Sequence, residues 1–266
     1  MTTTFRDLHR PGDPLLLGNA WDAGSARILA ELGYAAIATT SSGFAATLGR
    51  RDGSVSRTEA LDHAAALAAA VDIPVSADLE NGFGDTADDV ARTAAGARGA
   101  GLAGFSIEDA TGRDDEPVHD AELAAERIAA AAEASGDLVL TARCENYLHG
   151  RPDLADTIAR LQAYQEAGAD VLYAPGLGSP DDIATLVRAV DRPVNVLLRP
   201  GGPTPAELAK AGVARISVGG AFAWAAYAGL VQAAGELLAG QTAFHDRAAA
   251  AKAVIDRALT PARTSA

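Results

Sequence analysis

Cysteine and lysine are nearly missing from this chain. Its single cysteine, Cys144, excludes a disulfide framework and any zinc site built on thiolates. The two lysines, Lys210 and Lys252, fall in helical patterns rather than at a strand end, which disfavours an imine-forming amine as the catalytic group. No apolar run approaches the roughly 20 residues of a membrane-spanning helix, because charges interrupt the alanine-rich stretches. The opening MTTTFRDLHRPGDP lacks a basic segment followed by an apolar one, so a cytoplasmic location is expected. A basic patch is lacking too. The net charge is −13, with carboxylates spread along the chain, so neither nucleic acid nor an anionic membrane is expected as a partner.

What the chain has is a repeat. Apolar runs recur at residues 14–20, 35–42, 73–80, 104–109, 138–145, 170–176, 193–199 and 214–220. Their apolarity is continuous rather than alternating, as strands buried on both faces require, and this predicts a parallel sheet. Helical spacing fills the intervals at 57–71, 86–99, 120–134, 153–167 and 204–211, several ending in glycine ahead of the next run. The rhythm predicts an α/β protein of the (β/α)8 TIM-barrel type, with an open doubly wound sheet as its rival. One domain over residues 1–266 is expected. Residues 221–266 exceed one barrel helix and form a C-terminal helical extension expected to pack on a neighbouring subunit.

In such a barrel the strand ends share one mouth, so their residues carry the chemistry. The third run ends in SADLENGFGD, where Asp78 and Glu80 stand two apart, share one strand face and repel each other. Glu108 ends the next strand and brings a third acid close. Three hard oxygen donors suit Mg2+, which keeps several waters of its own. The competing reading has these acids capping helices or pairing with arginines. Arg143 ends the fifth run, and its planar fork suits a carboxylate of the substrate or of the protein, Glu108 or Glu145. Backbone amides around Ser42, Gly43 and Phe44, after the second run, offer an oxyanion site. Trp21 closes the first run. Asp52 lies on a loop, and His119 and His149 lie within possible reach of the mouth.

Four segments in order, TSSGFAATLGRRDG, ADLENGFGD, GFSIED and TARCENYLHG, resemble the isocitrate lyase/phosphoenolpyruvate mutase superfamily over roughly residues 12–225. The resemblance implies a barrel that binds Mg2+, with Mn2+ as a substitute, and a small 2-oxo or 2-hydroxy carboxylic acid. It implies cleavage or rearrangement of a C–C or P–C bond beside the carbonyl, through an enolate chelated by the metal. Carried onto this chain, Ser42, Gly43 and Phe44 hold the substrate carboxylate, with Trp21 beside them. Asp52 lies near the reacting group, Asp78 is the principal metal ligand, Glu80 and Glu108 hold metal-bound waters, and Arg143 clamps the substrate. Asp52, Glu108 and Arg143 make up the expected catalytic set. The family's tetramers with an exchanged terminal helix agree with the surplus at the C-terminus, so a homo-oligomer is expected.

The departures narrow the activity. Glu80 stands where the family usually has aspartate. The loop over residues 109–120 carries neither the cysteine nor the lysine of the isocitrate and methylisocitrate lyases, which argues against those activities. The gating-loop lysine and asparagine of the phosphonate enzymes are absent after Asp52, although Arg57 is near. Three readings stay open: a Mg2+-dependent carbon–carbon lyase or decarboxylase, phosphonopyruvate-type C–P chemistry, and a non-catalytic 2-oxoacid-binding relative.

Overall fold

The computed structural model describes residues 3–260. Eight parallel strands close into a barrel in chain order: β1 (Leu15–Ala20), β2 (Ile37–Thr39), β3 (Val75–Asp78), β4 (Gly104–Glu108), β5 (Val139–Arg143), β6 (Val171–Tyr173), β7 (Val194–Leu197) and β8 (Arg215–Ser217). Closure comes from β1 pairing with β8 at Leu15–Arg215 and Leu17–Ser217. The open-sheet rival is thereby excluded. Ten helices accompany the strands among the described residues: α1 (Ala23–Glu31), α2 (Ser41–Thr47), α3 (Arg57–Ala68), α4 (Ala87–Gly99), α5 (Ala121–Ser135), α6 (Leu154–Glu166), α7 (Pro180–Ala189), α8 (Pro205–Lys210), α9 (Ala221–Leu238) and α10 (Phe244–Leu259).

Local chemistry sets the helix starts. Asp22, Ser56, Thr86 and Thr204 each close a reciprocal capping box with the residue three further on, satisfying amides that the first helical turn leaves free. Helices α1, α4, α6 and α8 are left through Gly33, Gly101, Gly168 and Gly212, all at positive φ. The strands are shorter than the apolar runs. At the second run the reason is specific: Thr40 is the N-cap of α2, its hydroxyl accepting from the Gly43 amide, so the strand must end at Thr39.

A large apolar layer between strands and helices holds the fold, with Ile37, Leu79, Phe105, Ile107, Leu140 and Leu172 at its centre. A second cluster, including Phe5, Leu15, Val139 and Val171, closes the barrel base under the N-terminal segment. Burial on this scale supplies about 25 cal/mol per Å2 of apolar surface removed from water. Between base and mouth the interior is polar instead, with Asn19, Ser76, Ser106, Thr141, Asn195 and Ser217 buried. Packing there is not purely apolar, and a cavity remains. α10 lies back on α1 of the same chain, where Arg257 pairs with Glu31.

Candidate active site

The mouth is organised around Arg143. Its Nη1 donates to Asp78 Oδ1 at 3.0 Å, its Nη2 lies 3.0 Å from Glu108 Oε2, and its Nε donates to Glu145 Oε1 at 2.9 Å. The guanidinium carbon also stands 5.3 Å from the centre of the Tyr173 ring, a cation–π contact. Three carboxylates from β3, β4 and the segment after β5 therefore share one cation. Of the two pairings open in the sequence, Glu108 and Glu145, both form, and Asp78 joins them.

Asp78 ends β3, its backbone amide donating to Thr39 Oγ1 at 2.8 Å and its Oδ2 accepting from the Ser41 amide at 3.4 Å. Glu80 is not on the strand. It sits in the following turn at φ 48°, with Phe83 at 59° and Gly82 at 81°. A non-glycine residue in the left-handed region costs of order 1 kcal/mol and persists only where its surroundings fix it. Here the Glu80 carbonyl accepts from the Glu108 amide at 3.0 Å, which locks the turn against β4. Gly82 is required as well, since a Cβ would come within 2.9 Å of Val90 Cγ2.

Two adjoining cavities open here. The deeper one, about 180 Å3, runs down the barrel past Asp52, Asp78 and Arg143 to Asn195 and Arg215. The wider one, about 710 Å3, adds Glu80, Glu108, Asp85 and His149. Ser41, Asp52 and Arg143 line both.

The family that matches the chain, over residues 5–238, is described as phosphoenolpyruvate phosphomutase. The chain belongs to that family. Its relatives lie in the isocitrate lyase/phosphoenolpyruvate mutase superfamily, as the four segments suggested. An uncharacterised protein of Mycobacterium tuberculosis is 38% identical over 217 residues, covering 81% of each chain. A crystal structure from Burkholderia cenocepacia, provisionally described as a lyase/mutase, is 51% identical with a TM-score of 0.92, covering 97% of this chain and 95% of that one. A phosphonopyruvate hydrolase solved with oxalate and Mg2+ is 26% identical with a TM-score of 0.79, covering 89% of this chain and 86% of that one. The relatives thus include enzymes, among them 2-methylisocitrate lyases and an oxaloacetate decarboxylase.

In this phosphoenolpyruvate phosphomutase family member the mouth carries more negative charge than Arg143 can balance. Burial, followed by the charges of Asp78 and Asp52, pushes Glu80 up to about 8. Burial also raises Glu108 well above the carboxylate range, against the pull of Arg143, and raises Glu145 for the same reason. Asp52 is raised by burial and by Asp78, although the Ser41 hydroxyl stabilises its ionised form. Arg143 stays charged: burial opposes its charge, but Glu108, Glu145 and Asp78 outweigh that. Among the described residues, no three acid, histidine or cysteine side chains already enclose a metal-sized point. Asp78 and Glu108 are drawn to Arg143, while Glu80 lines the wider cavity from the turn after β3. Hard oxygens with uncompensated charge nonetheless fit a hydrated divalent cation that touches few carboxylates directly.

Several expected site residues are placed elsewhere. Gly43 and Phe44 lie inside α2, their amides bonded to Thr40, and the Phe44 ring stacks on His63 at 3.8 Å between centroids. Neither lines the cavities, whereas Ser42 and its neighbours Thr40 and Ser41 do. Trp21 lines a separate apolar pocket with Phe222, and its carbonyl bonds His63 Nε2 at 2.9 Å. Arg57 is committed to structure, bonding Thr93 Oγ1 at 2.8 Å and the Phe83 carbonyl at 2.9 Å. His119 is buried, 3.8 Å from Asp85, and lines neither cavity. Asp109, at the end of the fourth apolar run, turns away from the mouth to Tyr164 Oη at 2.7 Å and Arg160 at 3.3 Å.

Two further residues bear on the site without any local signal in the sequence. Arg127, 1% exposed on α5, donates to the carbonyls of Asn81, Gly84 and Glu108. Tyr173 supplies the face beneath Arg143. Only its place within the sixth apolar run, as the last residue of β6, could have pointed to it.

Proposed function

We propose that the chain is a Mg2+-dependent enzyme that cleaves a C–C bond beside the carbonyl of a small 2-oxo or 2-hydroxy carboxylic acid. The observation that carries this reading is the charge imbalance at the mouth, where five acids, Asp52, Asp78, Glu80, Glu108 and Glu145, surround one mouth arginine. A cation entering there relieves the repulsion between Asp78 and Glu80 and neutralises oxygens that burial otherwise keeps protonated. Asp78 would hold such a cation, with Glu80 and Glu108 the acids that would reach it through water. Bound there, it supplies Lewis-acid polarisation of the substrate's carbonyl oxygen.

The chain's own residues do the rest. Arg143, held by three carboxylates and resting on Tyr173, is fixed in the cavity wall as the cation facing the substrate carboxylate. Ser41 and Ser42 border the cavity with amide and hydroxyl donors. Asp52, bonded through its Oδ1 to the Gly53 amide at 3.2 Å, stands exposed at the lip and is suited to move a proton because partial desolvation and the nearby Asp78 raise its affinity for one. A cysteine acid is absent from the loop between β4 and α5, and Cys144 is buried with burial raising its pKa far out of range, so it stays a thiol. With no loop cysteine to serve as the acid, decarboxylation or hydrolytic cleavage fits that loop better than isocitrate-type cleavage. The same mouth accommodates phosphonate chemistry, but Arg57, the basic residue nearest the expected gating position, is bonded into the turn below.

The reading is tested by measuring Mg2+-dependent release of pyruvate or oxalate from C4–C6 2-oxo and 2-hydroxy diacids, and of pyruvate from phosphonopyruvate. Asp78→Ala is expected to abolish both Mg2+ binding by calorimetry and turnover while circular dichroism stays unchanged. Turnover at the wild-type level in that variant removes Asp78 from the site. Assembly belongs to the same proposal: the exposed apolar residues of α9 cover a second copy of the chain.

A further inference from the structure

Outside the barrel wall, in the layer between strands and helices, lies a buried charged network that the proposed chemistry does not use. Asp109 follows directly on β4 and is 3% exposed. Each of its polar atoms has a partner. Its amide donates to the Arg143 carbonyl at 3.1 Å, and its carbonyl accepts from the His119 amide at 2.8 Å. Its Oδ1 accepts from the Glu145 amide at 2.8 Å. Its Oδ2 accepts from Tyr164 Oη at 2.7 Å and from Arg160 Nη1 at 3.3 Å. Tyr164 and Arg160 stand one turn apart on α6, and both are buried. Burial and the charge of Asp109 raise the Tyr164 phenol well above its ordinary value, so it keeps the proton it donates.

The same helix grips the chain again one residue beyond Glu145. Asn146 is buried, and its Nδ2 donates to Asp156 Oδ2 at 2.8 Å and to Thr157 Oγ1 at 3.1 Å, both on α6. Arg160 ties the two grips together, its Nε donating to Asp156 Oδ2 at 2.9 Å. Apolar residues of equal volume would stabilise this layer at least as well, because a buried ion pair adds little net stability. What a fully bonded polar network adds is direction. Here the direction runs inward. Glu145, whose backbone Asp109 holds, is itself buried and places Oε1 2.9 Å from both Nε and Nη2 of Arg143. Asp78 and Glu108 reach only the terminal nitrogens, at 3.0 Å each. Without Glu145 the guanidinium is left to swing about those two contacts.

We propose that Asp109, braced by Tyr164 and Arg160, is a positioning residue for the reaction. It fixes Glu145, and Glu145 sets the angle at which Arg143 meets the substrate carboxylate. This role rests on the proposed function, which puts that carboxylate at Arg143. Asp109, Tyr164 and Arg160 line neither mouth cavity, so each acts through the arginine.

Calorimetry with oxalate in the presence of Mg2+ tests it, on the wild type, Tyr164→Phe, Arg143→Lys and the double variant. Tyr164→Phe keeps the ring and removes one bond from Asp109. It is expected to weaken oxalate binding by about threefold to tenfold, part of the scale of a lost bond to a charged group, since Arg160 still holds Asp109. Mg2+ binding without oxalate is expected to be unchanged, because the network does not hold Asp78. In the Arg143→Lys background the same substitution is expected to change nothing further, since its effect travels through the fork. Arg160→Lys takes its place in the cycle if Tyr164→Phe does not fold. Three results overturn the positioning role: unchanged oxalate affinity in Tyr164→Phe, an equal loss in both backgrounds, or a parallel loss of Mg2+ affinity, which reports a mouth loosened as a whole. All three leave the proposed function standing, because the wild type binds oxalate in each. A wild type that binds no oxalate with Mg2+ present sinks the proposed function, and the positioning role with it.

Discussion

At the scale of single residues, Arg143 and Glu80 carry opposite burdens. Arg143 is the common counter-ion of Asp78, Glu108 and Glu145. Removing it leaves buried carboxylates unpaired, so Arg143→Met is expected to lose about 3–5 kcal/mol of stability by denaturant titration. Arg143→Lys keeps the charge but loses the fork; it is expected to fold, with KM raised and kcat lowered together. An unaltered KM in the folded lysine variant shows that the arginine serves structure alone. Glu80 works the other way. Its folded pKa of about 8 lies above the ordinary value of 4.5, so the metal-free native state binds this proton more tightly than the unfolded chain does. Its contribution to stability is complete below the unfolded value and is lost as the pH rises through the folded one. In EDTA the Tm is therefore expected to fall between about pH 5 and pH 8, with a shallower slope in Glu80→Gln. Mg2+ reverses the preference by favouring the ionised form, so its binding at neutral pH releases a proton that calorimetry in two buffers detects.

At the scale of elements, the turn between β3 and α4 is held from two sides. Arg57 on α3 and Thr93 on α4 bond its carbonyls from one side, Arg127 on α5 from the other. These contacts keep Glu80 in a conformation its side chain disfavours. Arg127→Met is expected to leave three carbonyls unbonded, lowering stability by about 1–3 kcal/mol. It should also speed amide exchange at residues 80–84 relative to the strands. If exchange there matches the wild type, the turn is fixed without Arg127.

At the scale of the whole molecule, α9 stands out. It buries only Ala223, while Leu230, Val231 and Leu238 are 63%, 73% and 92% exposed. Isolated exposed leucines are ordinary, but a whole apolar face calls for a cover. No helix among the described residues is long and apolar enough to cross a membrane. The double variant Leu230→Glu/Val231→Glu is expected to sediment as a monomer where the wild type sediments as an oligomer. A monomeric wild type ends that proposal.

The barrel was legible in the chain because its determinants are local. Continuous apolar runs, capping residues such as Ser56 and Thr86, and glycines such as Gly168 act within a few positions of themselves. The acids at 78, 80 and 108 could be picked out for the same reason, since strand-end position alone marks them. Which partner each would face was not legible. Glu80 leaves the strand because a positive φ, invisible in its residue type, is enforced by the Glu108 amide 28 positions away and by neighbouring elements. Gly43 and Phe44 miss the mouth because Thr40 starts a helix there, while Arg215 and Tyr173 reach one cavity only through closure of β8 onto β1 and the rung that links β5 to β8. Sequence by itself determined the architecture and the acid-rich rim. Tertiary structure decided which charges are balanced, because balance depends on distances between strands that only a closed barrel sets.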